Sequence, residues 1–225
     1  KKQNDSTYLV RITPENIPIN NSAYYAFEVN STSTQTLYLQ FDYPEHYTHR
    51  YHPKINRGEG WVIVEKDQMD TLGGRTQLKL ENHYGSLVVA AQEIQNSGHV
   101  AQWVEAQVAQ RPMIDFKSIG KSNLGRPVWV MDMHEGDPKG KPIIVFLTRQ
   151  HPPEVTGYMA FKAFMEELLS NTDLSHDFFS KYHILAFPLV NPDGVDLGHW
   201  RHNAGGVDTN RDWGKYRQPE IKAIV

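Results

Sequence analysis

Apolar and polar residues alternate along several short segments in the first half of the chain. Such alternation places apolar side chains on one face of the backbone and predicts half-buried β-strands. Turn-forming residues separate the segments, and no long helical pattern lies between them, which favours an antiparallel β-sandwich. The predicted strands cover residues 8–12, 24–29, 36–41, 60–65, 76–80 and 86–90.

The pattern changes near Arg111 and Pro112. Before that point, the first half of residues 91–110 fits either a helix or a loop, and residues 99–106 fit either a strand or a helical turn. After it, segments typical of strands alternate with a helical one. We therefore predict an N-terminal β-sandwich domain over residues 1–110 and an α/β domain over residues 111–225.

A strand, a helix and another strand follow one another in the second half. Residues 142–148 and 182–190 are strongly apolar, and a helix of about 16 residues with a broad apolar stripe begins at Val155. This order predicts a right-handed crossover and a parallel strand pair within a mixed, largely parallel sheet. The loops after Thr148 and Val190 should then share the carboxyl edge of the sheet, where open α/β folds bind ligands.

Composition excludes several classes of protein. Lys and Arg are scattered and the formal net charge is -3, so a nucleic-acid-binding surface is not expected. The chain has no cysteine, which excludes disulfides and thiolate metal sites. No apolar run approaches the roughly 20 residues that span a bilayer. Because residues 1–7 lack an initiator Met, we expect a mature chain exported to the periplasm or the medium, with a cytoplasmic location as the alternative.

The segment His151-Pro-Pro-Glu154 joins the apolar strand to the predicted helix. An imidazole and a carboxylate three positions apart, on a backbone stiffened by two prolines, can reach one metal ion from one side. Alone, the pattern is short enough to arise by chance. Glu154 also has a simpler explanation, because a negative charge at a helix start is favoured by the helix dipole.

A second polar cluster follows the second apolar strand. It contains arginines that could hold a carboxylate or polarise a carbonyl, and amides that could donate hydrogen bonds. The alternative is a solvated loop in which the arginines pair with neighbouring aspartates. The residues are Asn191, Asp193, Arg201, Asn203, Asp208, Asn210, Arg211 and Asp212.

Together these motifs resemble the zinc metallocarboxypeptidases of the carboxypeptidase A type, peptidase family M14, and most closely the cytosolic-carboxypeptidase-like branch. The β-rich first half is similar to the N-terminal domain of that branch, and Pro153 stands where the branch usually has Gly. The matching motifs, in order, are H-x-x-E at 151–154, N-P-D-G at 191–194, R-x-N at 201–203 and G-V-D-x-N-R at 206–211.

The resemblance implies an enzyme that hydrolyses the C-terminal bond of a peptide or protein with one zinc ion in its active site. His151 and Glu154 would be zinc ligands, and Arg201 would polarise the scissile carbonyl. Asn210 and Arg211 would bind the terminal carboxylate of the substrate. These implied roles are consistent with the chemistry of peptide hydrolysis, since zinc activates water and a nearby cation stabilises an oxyanion.

The same resemblance implies that part of the site is missing. A complete catalytic domain is expected to need about 250 to 300 residues, so the third zinc ligand and the general base would lie beyond Val225. His199, His202 and His134 are interpreted as surface histidines rather than replacement ligands. Two alternatives stay open, a non-catalytic binding module that keeps a carboxylate pocket and a zinc amidase or deacylase of the same fold. Side-chain specificity and oligomeric state are not predicted.

Overall fold

A computed structural model describes residues 1–109 and 111–225. The chain forms two compact units, Lys1–Ile94 and Gln95–Val225. This division falls before the predicted boundary between residues 110 and 111, and Gln110 itself lies outside the described residues. The reason is helix α1, Ser97–Val108, whose buried Val100 and Val104 belong to the core of the second unit. The extent of the N-terminal domain stays a prediction.

The first unit is a six-stranded sheet in the order β1-β2-β6-β3-β4, with β5 paired to β6. A short 3-10 helix, Lys66–Gln68, precedes β5. All pairings are antiparallel except that of β1 with β2, which is parallel and was not predicted. The strands are Thr7–Arg11 (β1), Ala26–Asp42 (β2), Lys54–Asn56 (β3), Trp61–Ile63 (β4), Met69–Leu72 (β5) and Arg75–Ala90 (β6).

The long strand β2 folds back on itself. A straight strand would separate Phe27 from Phe41 by roughly 45 Å, yet their ring centroids lie 6.3 Å apart. The bend coincides with register shifts between Ser31 and Gln35, opposite Gly85 of β6, whose φ of 76° suits a residue without a side chain. A single hydrogen-bonded sheet thus bends around the core of the first unit. In a β-sandwich, two separate sheets enclose the core instead.

The second unit contains a four-stranded mixed sheet in the order β7-β8-β10-β9. The strands are Ile114–Lys121 (β7), Pro127–Met133 (β8), Ile143–Leu147 (β9) and His183–Phe187 (β10). The predicted parallel pair is confirmed, because β9 and β10 run parallel from His183↔Ile143 to Phe187↔Leu147. The α/β class with mixed sheets is confirmed as well. The sheet is not largely parallel in this part, because β7 pairs antiparallel with β8 across a short hairpin connection and β8 pairs antiparallel with β10.

Helices cover this sheet. α2, Val155–Leu168, is the predicted helix, and its buried Tyr158 and Met165 pack with Met131 and Ile184 of the sheet. The helix α3, Asp173–Lys181, was not predicted; Thr172 begins it by accepting a hydrogen bond from the backbone N–H of Ser175. Two shorter helices follow, α4 at Pro192–Leu197 and α5 at Pro219–Ile224. Within the described part of the chain, each helix is too short or too polar to span a bilayer.

Candidate metal and carboxylate site

The loops after β9 and β10 lie side by side, as predicted from the parallel pairing. Hydrogen bonds continue past the strand ends, from the N–H of Val190 to the carbonyl of Thr148 and from the N–H of Asn191 to the carbonyl of Arg149, each at 3.1 Å. The metal-ligand candidates on one loop and the polar cluster on the other therefore occupy one edge of the sheet.

The side chains of His151 and Glu154 converge. His151 Nδ1 lies 2.7 Å from Glu154 Oε1, and the backbone N–H of His151 donates to Glu154 Oε2 at 3.2 Å. Pro152 and Pro153 are buried between them, and Glu154 directly precedes α2. The His151 side chain is 9% exposed and that of Glu154 51% exposed, so the pair faces solvent through its carboxylate.

Asp208 connects this pair to Arg201. Its Oδ1 lies 2.9 Å from His151 Nε2, and its Oδ2 accepts a hydrogen bond from Arg201 Nε at 2.7 Å. A carboxylate on one ring nitrogen fixes the orientation of a histidine and leaves the other nitrogen for a metal. The sequence reasoning considered Asp208 only as a loop partner of the arginines; its position within G-V-D-x-N-R was the available signal.

Hydrogen bonds among His151, Glu154 and Asp208 shift the pKa of each group. Burial by itself lowers the pKa of His151, but the hydrogen bonds to Glu154 and Asp208 outweigh it and raise that pKa. Burial by itself raises the pKa of Glu154 and of Asp208. The hydrogen bonds to His151, joined for Asp208 by those from Arg201 and the Asn210 backbone, outweigh burial and lower both pKa values. A proton on Nδ1 and a metal ion would compete for the same lone pair.

Asn210 and Arg211 lie on a short 3-10 helix, Thr209–Arg211, and both are exposed. Asp208 Oδ1 accepts from the backbone N–H of Asn210 at 2.9 Å, and Arg211 Nη1 donates to the carbonyl of Asn210 at 3.2 Å. Thr209 Oγ1 donates to the carbonyl of Gln150 at 3.2 Å. The short helix is thus tied to the residue just before His151.

Other members of the polar cluster support the loops. Asn191 accepts a hydrogen bond from the N–H of Gly194 at the start of α4, and the buried Asp193 pairs with Arg126 at 2.8 Å. Asp212 accepts from two backbone N–H groups. Of the arginine–aspartate pairs that the solvated-loop alternative named, Arg201 with Asp208 is present, but its side chains are only 19% and 12% exposed rather than solvated.

A third ligand is not assembled within residues 1–109 and 111–225, where no group of three or more His, Asp or Glu side chains is placed to hold a metal ion. His199 Nδ1 contacts the carbonyl of His202 at 3.0 Å, and His134 Nδ1 contacts the carbonyl of Gly136 at 2.8 Å. His202 is buried rather than on the surface as interpreted from sequence. An imidazole nitrogen and a carboxylate oxygen are both zinc donors, so His151 and Glu154 fit part of a zinc site.

Comparison with known proteins shows the family of the chain. Residues 100–222, more than half of the chain, match the zinc carboxypeptidase family of M14 peptidases. The chain belongs to this family. Cytosolic carboxypeptidase 2 of Danio rerio is 35% identical over 75 residues, which are 33% of this chain and 10% of that protein. Metallocarboxypeptidase A of Arthroderma otae is 32% identical over 127 residues, which are 54% of this chain and 28% of that protein.

Solved structures share the fold of this zinc carboxypeptidase chain. A metallo-carboxypeptidase from Burkholderia cenocepacia gives a TM-score of 0.80 at 19% identity, covering 95% of this chain and 60% of that one. One from Pseudomonas aeruginosa, in complex with (2-guanidinoethylmercapto)succinic acid, gives 0.82 at 19% identity and covers 100% and 61%. The chain thus spans only part of the length of the proteins it matches.

Proposed function

We propose that the protein carrying this chain is a zinc-dependent metallocarboxypeptidase that removes the C-terminal residue of peptides or proteins. The observation that carries the proposal is the convergence of His151 Nδ1 and Glu154 Oε1 at 2.7 Å, with Asp208 holding the other ring nitrogen. Family membership supplies the expectation of zinc. In this proposal His151 and Glu154 bind the one zinc ion of the active site.

The bound zinc supplies activation of water and polarisation of the substrate carbonyl. Arg201 places a cation beside the site and stabilises the negative charge that develops on the carbonyl oxygen. Its hydrogen bond to Asp208 holds the guanidinium in place, with its side chain 19% exposed. Asp208 therefore fixes the orientations of both a metal ligand and the cation that serves the carbonyl.

Asn210 and Arg211 bind the free carboxylate of the substrate. A guanidinium matches a carboxylate through two parallel hydrogen bonds, and the amide adds a neutral donor. Both side chains are exposed, which leaves them accessible to a ligand from solvent. Anchoring the terminal carboxylate restricts hydrolysis to the last peptide bond.

The third zinc ligand and the general base come from sequence outside these 225 residues in this proposal. The test measures zinc content and C-terminal trimming of a peptide panel, using the longer gene product and this chain in parallel. We expect stoichiometric zinc and trimming from the longer product, and weak zinc binding with little activity from this chain, because two ligands hold zinc poorly. A longer product with neither zinc nor trimming activity would refute the proposal and favour the binding module.

Location is a separate prediction. We propose export to the periplasm or the medium, with the cytoplasm as the alternative, and fractionation of the cells that make the protein tests it. Recovery in the periplasm or medium would support export, and recovery with cytoplasmic markers would contradict it.

A further inference from the structure

Arg149 is an almost fully buried arginine next to the candidate metal ligands. It follows β9, two positions before His151, and is 2% exposed. Burying a guanidinium is costly unless its N–H groups are hydrogen-bonded. The contacts that Arg149 makes therefore indicate what it does for the loop.

The guanidinium of Arg149 joins two backbone segments. Nη2 donates to the carbonyl of Pro152 at 2.9 Å, between His151 and Glu154, and Nη1 donates to the carbonyl of Gln95 at 3.0 Å, just before α1. A proline-rich loop has few backbone N–H groups with which to hold itself. The side chain of Arg149 thus ties the ligand loop to a neighbouring part of the same unit.

The same guanidinium lies over the first turn of α2. Its central carbon is 5.6 Å from the ring centroid of Tyr158, a residue that is 0% exposed. A cation above an aromatic face is attracted by the ring electrons, and more strongly when water is excluded. Because the N–H of Tyr158 donates to the carbonyl of Glu154, this contact reaches the second ligand candidate as well.

The backbone of Arg149 is also unusual. Its φ is 56°, in the left-handed region that few residues other than glycine and asparagine adopt. Its carbonyl accepts from the N–H of Asn191, so the turn is joined to the loop after β10. Local strain of this kind persists where surrounding contacts determine the backbone.

We propose that Arg149 is a positioning residue that sets the separation of His151 and Glu154 through Pro152 and Tyr158. This inference rests on the proposed function, because the two positioned side chains are the proposed zinc ligands. Arg149 does not touch the substrate or the metal in this arrangement. It acts through the loop that carries the ligands.

The test compares Arg149→Asn with Arg111→Asn. Asparagine tolerates the left-handed backbone, so the first variant removes the guanidinium with little added strain. Arg111 is a matched control, because it also donates to two backbone carbonyls, those of Leu169 and Gln107, in a region outside the candidate site. Hydrogen exchange of the His151, Glu154 and Val155 amides is measured on this chain, and zinc affinity on the longer product by competition with a chromophoric chelator.

Arg149→Asn should speed exchange at these amides by about tenfold or more, since hydrogen bonds to a charged group are lost. It should also weaken zinc binding by about 10- to 100-fold, the usual cost of losing support for a ligand. Arg111→Asn should leave both unchanged, and Arg149→Lys should recover part of the loss. Unchanged exchange in Arg149→Asn, or an equal change in the control, would overturn the positioning role. If even the unmodified longer product binds no zinc, the proposed function fails, while amide exchange still decides the role of Arg149.

Discussion

The two units treat buried polar groups in different ways. Within the described residues the first unit buries only Ser22, Ser31 and His83 among polar side chains, and its core is otherwise apolar and aromatic. The second unit buries three carboxylates, Asp193, Asp212 and Glu220, together with Arg149 and His151. Because buried polar groups are costly unless they are paired, their concentration at one sheet edge indicates where specific chemistry is maintained.

The largest expected effect is on folding of the second unit. Asp193 accepts hydrogen bonds from Arg126, Ser122 and the N–H of Leu124, all at 2.8 Å. Asp193→Ala should lower the free energy of unfolding by about 3 kcal/mol, since it leaves these donors without their acceptor. Urea denaturation followed by tryptophan fluorescence measures the change.

An exposed aspartate serves as the control for that substitution. Asp115 pairs with Lys117 at 2.7 Å, and their side chains are 65% and 50% exposed. Asp115→Ala should change the free energy of unfolding by less than about 1 kcal/mol. Equal losses in the two variants would mean that burial does not distinguish these carboxylates.

A smaller effect is expected for the carboxylate that orients His151. In the longer product Asp208→Ala should weaken zinc binding by about 10- to 100-fold, because the imidazole loses the partner of its other nitrogen. Chelator competition provides the measurement. Asp177→Ala on α3, which removes only the exposed pair with Lys181, should leave zinc affinity unchanged. Full zinc affinity in Asp208→Ala would contradict the proposed orienting role.

The two arginines of the site should differ in their kinetic effects. Arg201, held by Asp208, should act mainly on the reacting carbonyl, so Arg201→Ala should chiefly lower kcat. Arg211 is exposed and should act in substrate binding, so Arg211→Ala should chiefly raise KM. Steady-state kinetics of the longer product on a peptide substrate separates these outcomes. The opposite pattern would show that the two roles had been exchanged.

How much of the fold and of the candidate site could be predicted from the sequence depends on how far apart along the chain the interacting residues lie. The parallel pair and the adjacency of the two loops follow from local periodicity and chain order, so sequence reasoning found them. The fold-back of β2 depends on register shifts and on contacts between distant rings such as Tyr25 and Phe41, which no local pattern encodes. The link between His151 and Asp208 was missed although their loops were predicted to be adjacent, because loop adjacency does not specify which side chains meet across 57 residues.

The smallest predicted effect is the dependence of the stability of the first unit on pH. Burial, with the cation of Arg57 3.2 Å from Nδ1, lowers the pKa of the His83 imidazole in the folded state. An unfolded histidine titrates near pH 6.5. As pH falls below that value, His83 binds a proton in the unfolded chain but not in the folded chain, so the free energy of unfolding decreases. Above that value, the contribution of His83 to the free energy of unfolding is constant. The loss is at most about 1.4 kcal/mol per pH unit for one proton.

Amide exchange of β6 measures this effect in the unit concerned. Between pH 7.5 and 5.5, after correction for intrinsic exchange, the free energy of opening at Leu78, Leu80 and Val89 should fall more in the unmodified chain than in His83→Gln, which cannot take up the proton. His49 also has a pKa lowered by burial and is present in both proteins, so the difference between them isolates His83. An identical fall in the two would contradict the prediction. Burial of His83 would then not make the stability of the first unit depend on protonation. The two units would no longer differ in how a buried ionisable group affects stability.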